Sequence, residues 1–170
     1  MSEMHPTALR FQERAQAAGL DVRPQELSES TRTAVEAADA VGCELGQIVK
    51  SVVLQDAGGE LLLCLCAGDR RIDLERVGDG VAMARGREVK EQTGYAIGGI
   101  PPLGHDRSLH TVVDGSLRRF QTVWCAAGTP NAVFEVRLDD LLAAMPDADV
   151  RDIAEPKGAP PTLKRHGPKL

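Results

Sequence analysis

Two apolar runs, Ile48 to Gln55 and Glu60 to Ala67, are separated only by Asp56-Ala57-Gly58-Gly59, and this pairing constrains the fold more than any other stretch of the chain. Val and Leu fill both runs, and the link carries the Asp and Gly that tight turns use, so the segment predicts a β-hairpin. One residue breaks the pattern: Lys50, within Gln47-Ile48-Val49-Lys50-Ser51-Val52-Val53-Leu54. Two readings are open for it. An edge strand can carry a lysine whose ammonium reaches water; alternatively, a partly enclosed ammonium can neutralise a phosphate or a polarised carbonyl.

The segments around the hairpin mix both periodicities. A helix is expected from Thr7 to Ala18, where Ala8, Leu9, Phe11, Ala15 and Ala18 approximate one apolar face before Gly19. Asp21 to Glu26 reads as a short extended piece. Thr33 and Glu36 have capping-box spacing, which predicts a helix from Ala34 to Val41 closed by Gly42 and gives Thr33 a structural role. Short helices are expected at Arg70 to Val77 and Ala84 to Thr93, and a last one at Leu138 to Met145. Strands are expected at Leu109 to Asp114, Phe120 to Ala126, Asn131 to Val136 and Val150 to Ile153. Hairpin-length links predominate and regular βαβ alternation is missing. The expected class is therefore α+β, a mixed α/β chain with an irregular, largely antiparallel sheet or barrel and surrounding helices.

With 170 residues and 42% hydrophobic content the chain can fill one core, so residues 1–155 are expected to form a single domain. Residues 156–170 contain four prolines and four Lys or Arg with no acid, as expected of a loosely attached basic tail. Aromatic residues make up only 3%, which disfavours folds that read single-stranded RNA through several exposed rings. A net charge of −5 disfavours extended binding along a phosphate backbone, DNA included, although a local basic patch could hold one RNA end. No apolar run reaches the roughly 20 residues of a membrane span, and Met1 to Pro6 lacks a signal-peptide pattern, so a cytoplasmic protein is expected. Cys43, Cys64, Cys66 and Cys125 lack paired CxxC spacing and read as buried free thiols; no metal and no cofactor is expected.

A second feature is the loop Gly94-Tyr95-Ala96-Ile97-Gly98-Gly99-Ile100-Pro101-Pro102-Leu103-Gly104-His105. Gly98 and Gly99 can adopt positive φ and leave their N–H groups uncovered, while Pro101 and Pro102 fix the exit. The backbone could thus bind a carbonyl or phosphate oxygen, or the loop could simply turn a corner. His105 is the only histidine among such features. Nucleophile elbows, P-loops, HExxH and strand-borne GxGxxG motifs are absent. What remains is Lys50, Asp114 and two backbone-rich loops, Gly98 to Pro101 and Ala127 to Pro130. That set suits holding a small polar substrate with an activated carbonyl for attack by water.

The order and spacing of Thr31-Arg32-Thr33-Ala34-Val35-Glu36-Ala37-Ala38, Gly46 to Ser51, Gly94 to Pro102 and Val113-Asp114 resembles the YbaK-like family, the aminoacyl-tRNA deacylases related to the editing domain of prolyl-tRNA synthetase. The resemblance runs from about Arg10 to Ile153. It implies a free-standing editing hydrolase that removes a small wrong amino acid from a mischarged tRNA, most often the proline tRNA. The expected partners are the acceptor end of aminoacyl-tRNA and prolyl-tRNA synthetase. It places the functional lysine on Lys50, beside Ser51, and the substrate loop on Gly98, Gly99, Ile100 and Pro101. Thr33, His105 and the stretch Gly128-Thr129-Pro130-Asn131 complete the expected substrate contacts. Thr33 stands where relatives often carry an aromatic residue, and Asn131 where many carry His; an amide there can still orient water or an amine. Asp114 would assist the attack or brace the loop. Two other functions stay open: a non-catalytic module that binds aminoacyl-tRNA or a synthetase, and a tRNA-independent hydrolase of small amino-acid esters.

Overall fold

Every residue of Leu61–Ala67 is buried, which makes this strand the centre of the molecule. Leu61, Leu63, Leu65 and Ala67 join the main core on one face, while Leu62 and Cys64 join a second apolar cluster on the other. A strand covered on both sides needs no polar alternation, and Leu61 to Ala67 has none. The structure, a computed structural model, describes residues 4–28, 31 and 33–157. In chain order the elements are α1 (Pro6–Ala17), β1 (Gln25–Glu26), α2 (Ala34–Val41), β2 (Val49–Gln55), β3 (Leu61–Ala67) and β4 (Arg70–Ile72). There follow α3 (Leu74–Val77), β5 (Ala82–Met83), α4 (Gly86–Thr93), β6 (His110–Asp114), β7 (Thr122–Ala126), β8 (Ala132–Arg137), α5 (Leu138–Ala143), β9 (Asp149–Arg151) and β10 (Ala154–Pro156).

The largest sheet has the order β5-β2-β3-β6-β9. It is antiparallel through β5, β2 and β3, and parallel from β3 through β6 to β9. A second sheet, β1-β8-β7, is antiparallel and meets the first at a bridge between Ile48 and Trp124. A short β10-β4 ribbon completes the mixed α/β fold. α1 lies on the core through Ala8, Phe11 and Ala15, with the Phe11 ring 5.0 Å from that of Phe134. α2 starts at the reciprocal Thr33–Glu36 capping box, and Gly42, at φ +75°, ends it. Ala37 and Ala38 then pack α2 against Ile48.

Three expected elements differ from those observed. Arg70 to Val77 is not one helix, because Arg70–Ile72 is drawn into a ladder with β10, where Arg71 donates to Glu155 at 2.8 Å. Only the turn after Asp73, whose carboxylate accepts the Glu75 N–H, is helical. The strand expected at Val150 to Ile153 is split in two, since the N–H groups of Ile153 and Ala154 leave the sheet for Asp114. Ala82–Met83 forms an unexpected strand, and α4 starts at Gly86 rather than Ala84, whose N–H is bound to the Val53 carbonyl. Of the expected tail, Pro156 closes β10, the Lys157 N–H donates to the Asp69 carbonyl at 3.2 Å, and residues 158–170 lie outside the described residues.

Candidate active site

The first half of β2 runs along a cleft of about 330 Å³. Its other walls are the N-terminal end of α2, the loop at Ile97, Gly98 and Ile100, and β7 with Trp124. Lys50 enters from β2, half-buried, and its ammonium donates to the Arg70 carbonyl at 2.7 Å. Burial lowers its pKa from the usual lysine value, with Lys157 acting in the same direction. Asp69, whose charge reaches Lys50, is already held by Arg119 through two bonds of 2.8 and 2.9 Å. No ion pair to Lys50 occurs among the described residues. This is not a lysine reaching out to bulk water. Lys50 lines the cleft, and its ammonium, held on the Arg70 carbonyl, has N–H donors to spare.

The glycine loop lines the same cleft as Lys50, and its two glycines have different jobs. Gly98 takes φ +98° and lines the cleft. Gly99 does not, and its N–H is spent on the Ala96 carbonyl at 3.0 Å, which corrects the expectation of two uncovered N–H groups. Gly99 is instead the point where two loops touch. A Cβ there would lie 2.7 Å from both Thr129 Cα and its carbonyl carbon. The Gly98 and Ile100 N–H groups have no partner among the hydrogen bonds of the described residues.

The cleft thus gathers Lys50, Ser51, Thr33, Gly98, Ile100 and Pro130 from the expected set. Thr33 contributes its flank, because its hydroxyl is engaged with Glu36. The remaining expected contacts support the cleft from behind or lie elsewhere. Thr129 backs Gly99, and Gly128, at φ +108°, sits against Thr7 and Tyr95. Asn131 donates to the carbonyls of Ser28 and Thr31 at 2.9 and 3.2 Å, and so ties down the segment that brings Thr31 to the cleft. Pro101 offers its carbonyl to His105 Nε2 at 2.8 Å. A carbonyl only accepts, so Nε2 carries the hydrogen; His105 lines a different cavity, and burial lowers its pKa.

Asp114 is buried and braces the fold. One carboxylate oxygen accepts the N–H groups of Ile153 and Ala154 at 2.9 and 3.0 Å, and the other accepts from Ser116. It is absent from the cleft wall. Asp114→Ala is expected to lower the unfolding free energy by about 3 kcal/mol, since two buried N–H groups lose their acceptor. Chemical denaturation measures this, and a variant that is as stable as the parent but inactive would assign Asp114 to the chemistry instead.

Ile97 and Ala37, from the glycine-loop and Thr31-to-Ala38 motifs, and Trp124 and Cys125, which no site motif marks, also line the cleft. Cys125 is fully buried, which pushes its thiol pKa far up, so it is a wall and not a nucleophile. Among the described residues no histidine lines the cleft beside Ser51 or Cys125. Among the described residues no group of three His, Cys, Asp or Glu could hold a metal, and no helix is long and apolar enough to cross a membrane.

Residues 28–144 match the family model for the aminoacyl-tRNA editing domain. The uncharacterized protein YwhH of Bacillus subtilis (strain 168) is 36% identical over 120 residues, 68% of this chain and 76% of its own length. A solved structure described as a candidate trans-editing enzyme for prolyl-tRNA synthetase is 42% identical, with a TM-score of 0.85 over 90% of this chain and 99% of that one. The hypothetical protein APE2540 is 32% identical, with a TM-score of 0.78 over 86% of this chain and 99% of its own. The family match includes the elements that build the cleft, from the α2 cap to the loop at Thr129, and the chain belongs to the aminoacyl-tRNA editing domain family.

Proposed function

We propose that the chain is a hydrolase acting in trans on mischarged aminoacyl-tRNA, in particular proline tRNA carrying a small non-cognate amino acid. The observation that supports this reading is one small cleft lined by Lys50, whose half-buried ammonium is held on the Arg70 carbonyl, and by Gly98 and Ile100. Lys50 anchors the terminal adenosine or its phosphate. The N–H groups of Gly98 and Ile100 receive the carbonyl oxygen as it becomes tetrahedral, a role in which a fixed donor is worth most. Water adds to the carbonyl carbon, the bond to the ribose oxygen breaks, and that oxygen takes up a proton as the amino acid leaves. The reaction requires no covalent enzyme intermediate.

The test is deacylation of proline tRNA charged with alanine, serine, threonine, cysteine or 2-aminobutyrate. At least one is expected to be hydrolysed well above the rate without enzyme. Tight binding with no hydrolysis of any of them would make the protein a binding module, and equal turnover of a minimal aminoacyl-adenosine would remove tRNA from the recognition.

A further inference from the structure

Ser51 lines the cleft, and its Oγ is buried without a hydrogen-bond partner. An unpartnered buried hydroxyl is costly to keep unless something that enters the site bonds to it. A second observation concerns the backbone at the same residue. The Ile48 carbonyl accepts the Gly68 N–H at 2.7 Å, so even-numbered residues of this strand direct their peptide groups toward β3. The Val53 carbonyl accepts the Ala84 N–H at 3.2 Å on the opposite edge, so odd-numbered residues direct theirs outward. On that outer edge β5 pairs only at Leu54 and Gln55, and β7 only bridges at Ile48. Ser51 therefore presents its N–H and C=O on a stretch of strand edge that no strand pairs.

We infer that Ser51 is the specificity-determining residue of the cleft and selects small amino acids that carry a side-chain hydroxyl. The inference rests on the deacylase reading above. An aminoacyl group has the two groups an open strand edge pairs with: an ammonium for the Ser51 carbonyl and an ester carbonyl for the Ser51 N–H. Residues paired across strands carry their side chains on the same face, with Cβ atoms about 4.5–5.5 Å apart. A substrate seated on this edge thus places its side chain beside Ser51 Oγ. Ala37, Ile48, Ile100 and Val133 of the lining are apolar, and of its other polar side chains the Thr33 hydroxyl is engaged with Glu36 and the Lys50 ammonium with the Arg70 carbonyl, so the Ser51 hydroxyl is an unpartnered polar group for a substrate side chain to meet. Serine satisfies it, whereas 2-aminobutyrate, of the same shape with a methyl in place of the hydroxyl, leaves it bare.

The experiment compares kcat/KM for proline tRNA charged with serine, 2-aminobutyrate and alanine, on the parent protein and on Ser51→Ala. The parent is expected to favour serine over 2-aminobutyrate by about tenfold or more, and Ser51→Ala to bring the ratio close to one. The parent's ratio reads the inference without any variant. A ratio near one in the parent, or one that survives Ser51→Ala, overturns it. So does an equal slowing of both substrates by Ser51→Ala, which would assign Oγ to the ammonium or ester they share. These outcomes leave the deacylase reading intact. Failure of the parent to hydrolyse any of the three overturns both.

Discussion

Lys50→Ala is expected to lower kcat/KM for aminoacyl-tRNA deacylation by about 100-fold or more, the effect of removing one fixed charge or donor from a reaction centre. The decisive comparison sets that loss against stability. Burial depresses the Lys50 pKa, so the charged form is disfavoured in the folded state relative to the unfolded chain. That cost is present at neutral pH and is relieved as pH rises through the window just below the ordinary lysine value of about 10.4. Lys50→Met keeps the aliphatic stem, removes the charge, and should melt at or above the parent temperature while losing activity. A lysine kept only for packing would show the reverse, lower stability with turnover preserved. Lys50→Arg is not expected to rescue, because the planar guanidinium cannot occupy the position from which Nζ reaches the Arg70 carbonyl at 2.7 Å. Activity of Lys50→Met within a few-fold of the parent would sink the anchoring role.

Features set by neighbours along the chain are legible in the sequence alone, and those set by distant partners are not. The Thr33–Glu36 cap and the Asp56–Gly59 turn depend on residues at most four apart, and both form as expected. The ladder of β4 with β10 joins residues more than eighty positions apart, and it overrides the helical pattern of Arg70 to Val77. Asp114 shows the same limit at the level of function. Its place at a strand end allows catalysis or bracing, and the choice depends on two N–H groups some forty residues away. Trp124 reaches the cleft only because β7 bridges to Ile48, a contact with no trace in local pattern. His105 fails in the opposite way. It is close in sequence to the site loop, but its ring is turned onto the Pro101 carbonyl and away from the cleft.

Gly99→Ala is expected to cause the second large loss, and here the cause is space alone. Gly99 is not among the glycines with positive φ, so an alanine could adopt its backbone conformation. Its Cβ, however, would meet Thr129 Cα and carbonyl carbon at 2.7 Å and the Gly128 oxygen at 2.9 Å. All three are backbone atoms, and no rotamer change can move them. The loop that carries Gly98 and Ile100 must then part from the loop that carries Pro130, both of which line the cleft. Overpacking of this kind costs about 1–3 kcal/mol, and a shift of roughly 1 Å at a reacting centre can cost about 100-fold in rate. Gly115→Ala is the matched control, since its Cβ would meet only the Arg151 oxygen, at 3.9 Å. Gly98→Ala separates the two effects: its Cβ has room, at 3.7 Å from Pro130, but its φ of +98° strains any side chain. If the loops act as one rigid wall, Gly99→Ala loses activity beyond its loss of stability, measured at a temperature where the variant remains folded. Gly115→Ala should match the parent in both. Parental melting and turnover in Gly99→Ala would mean that the loops can separate freely, and the backbone of Gly98 to Ile100 could not then be a preset receptor for the oxyanion.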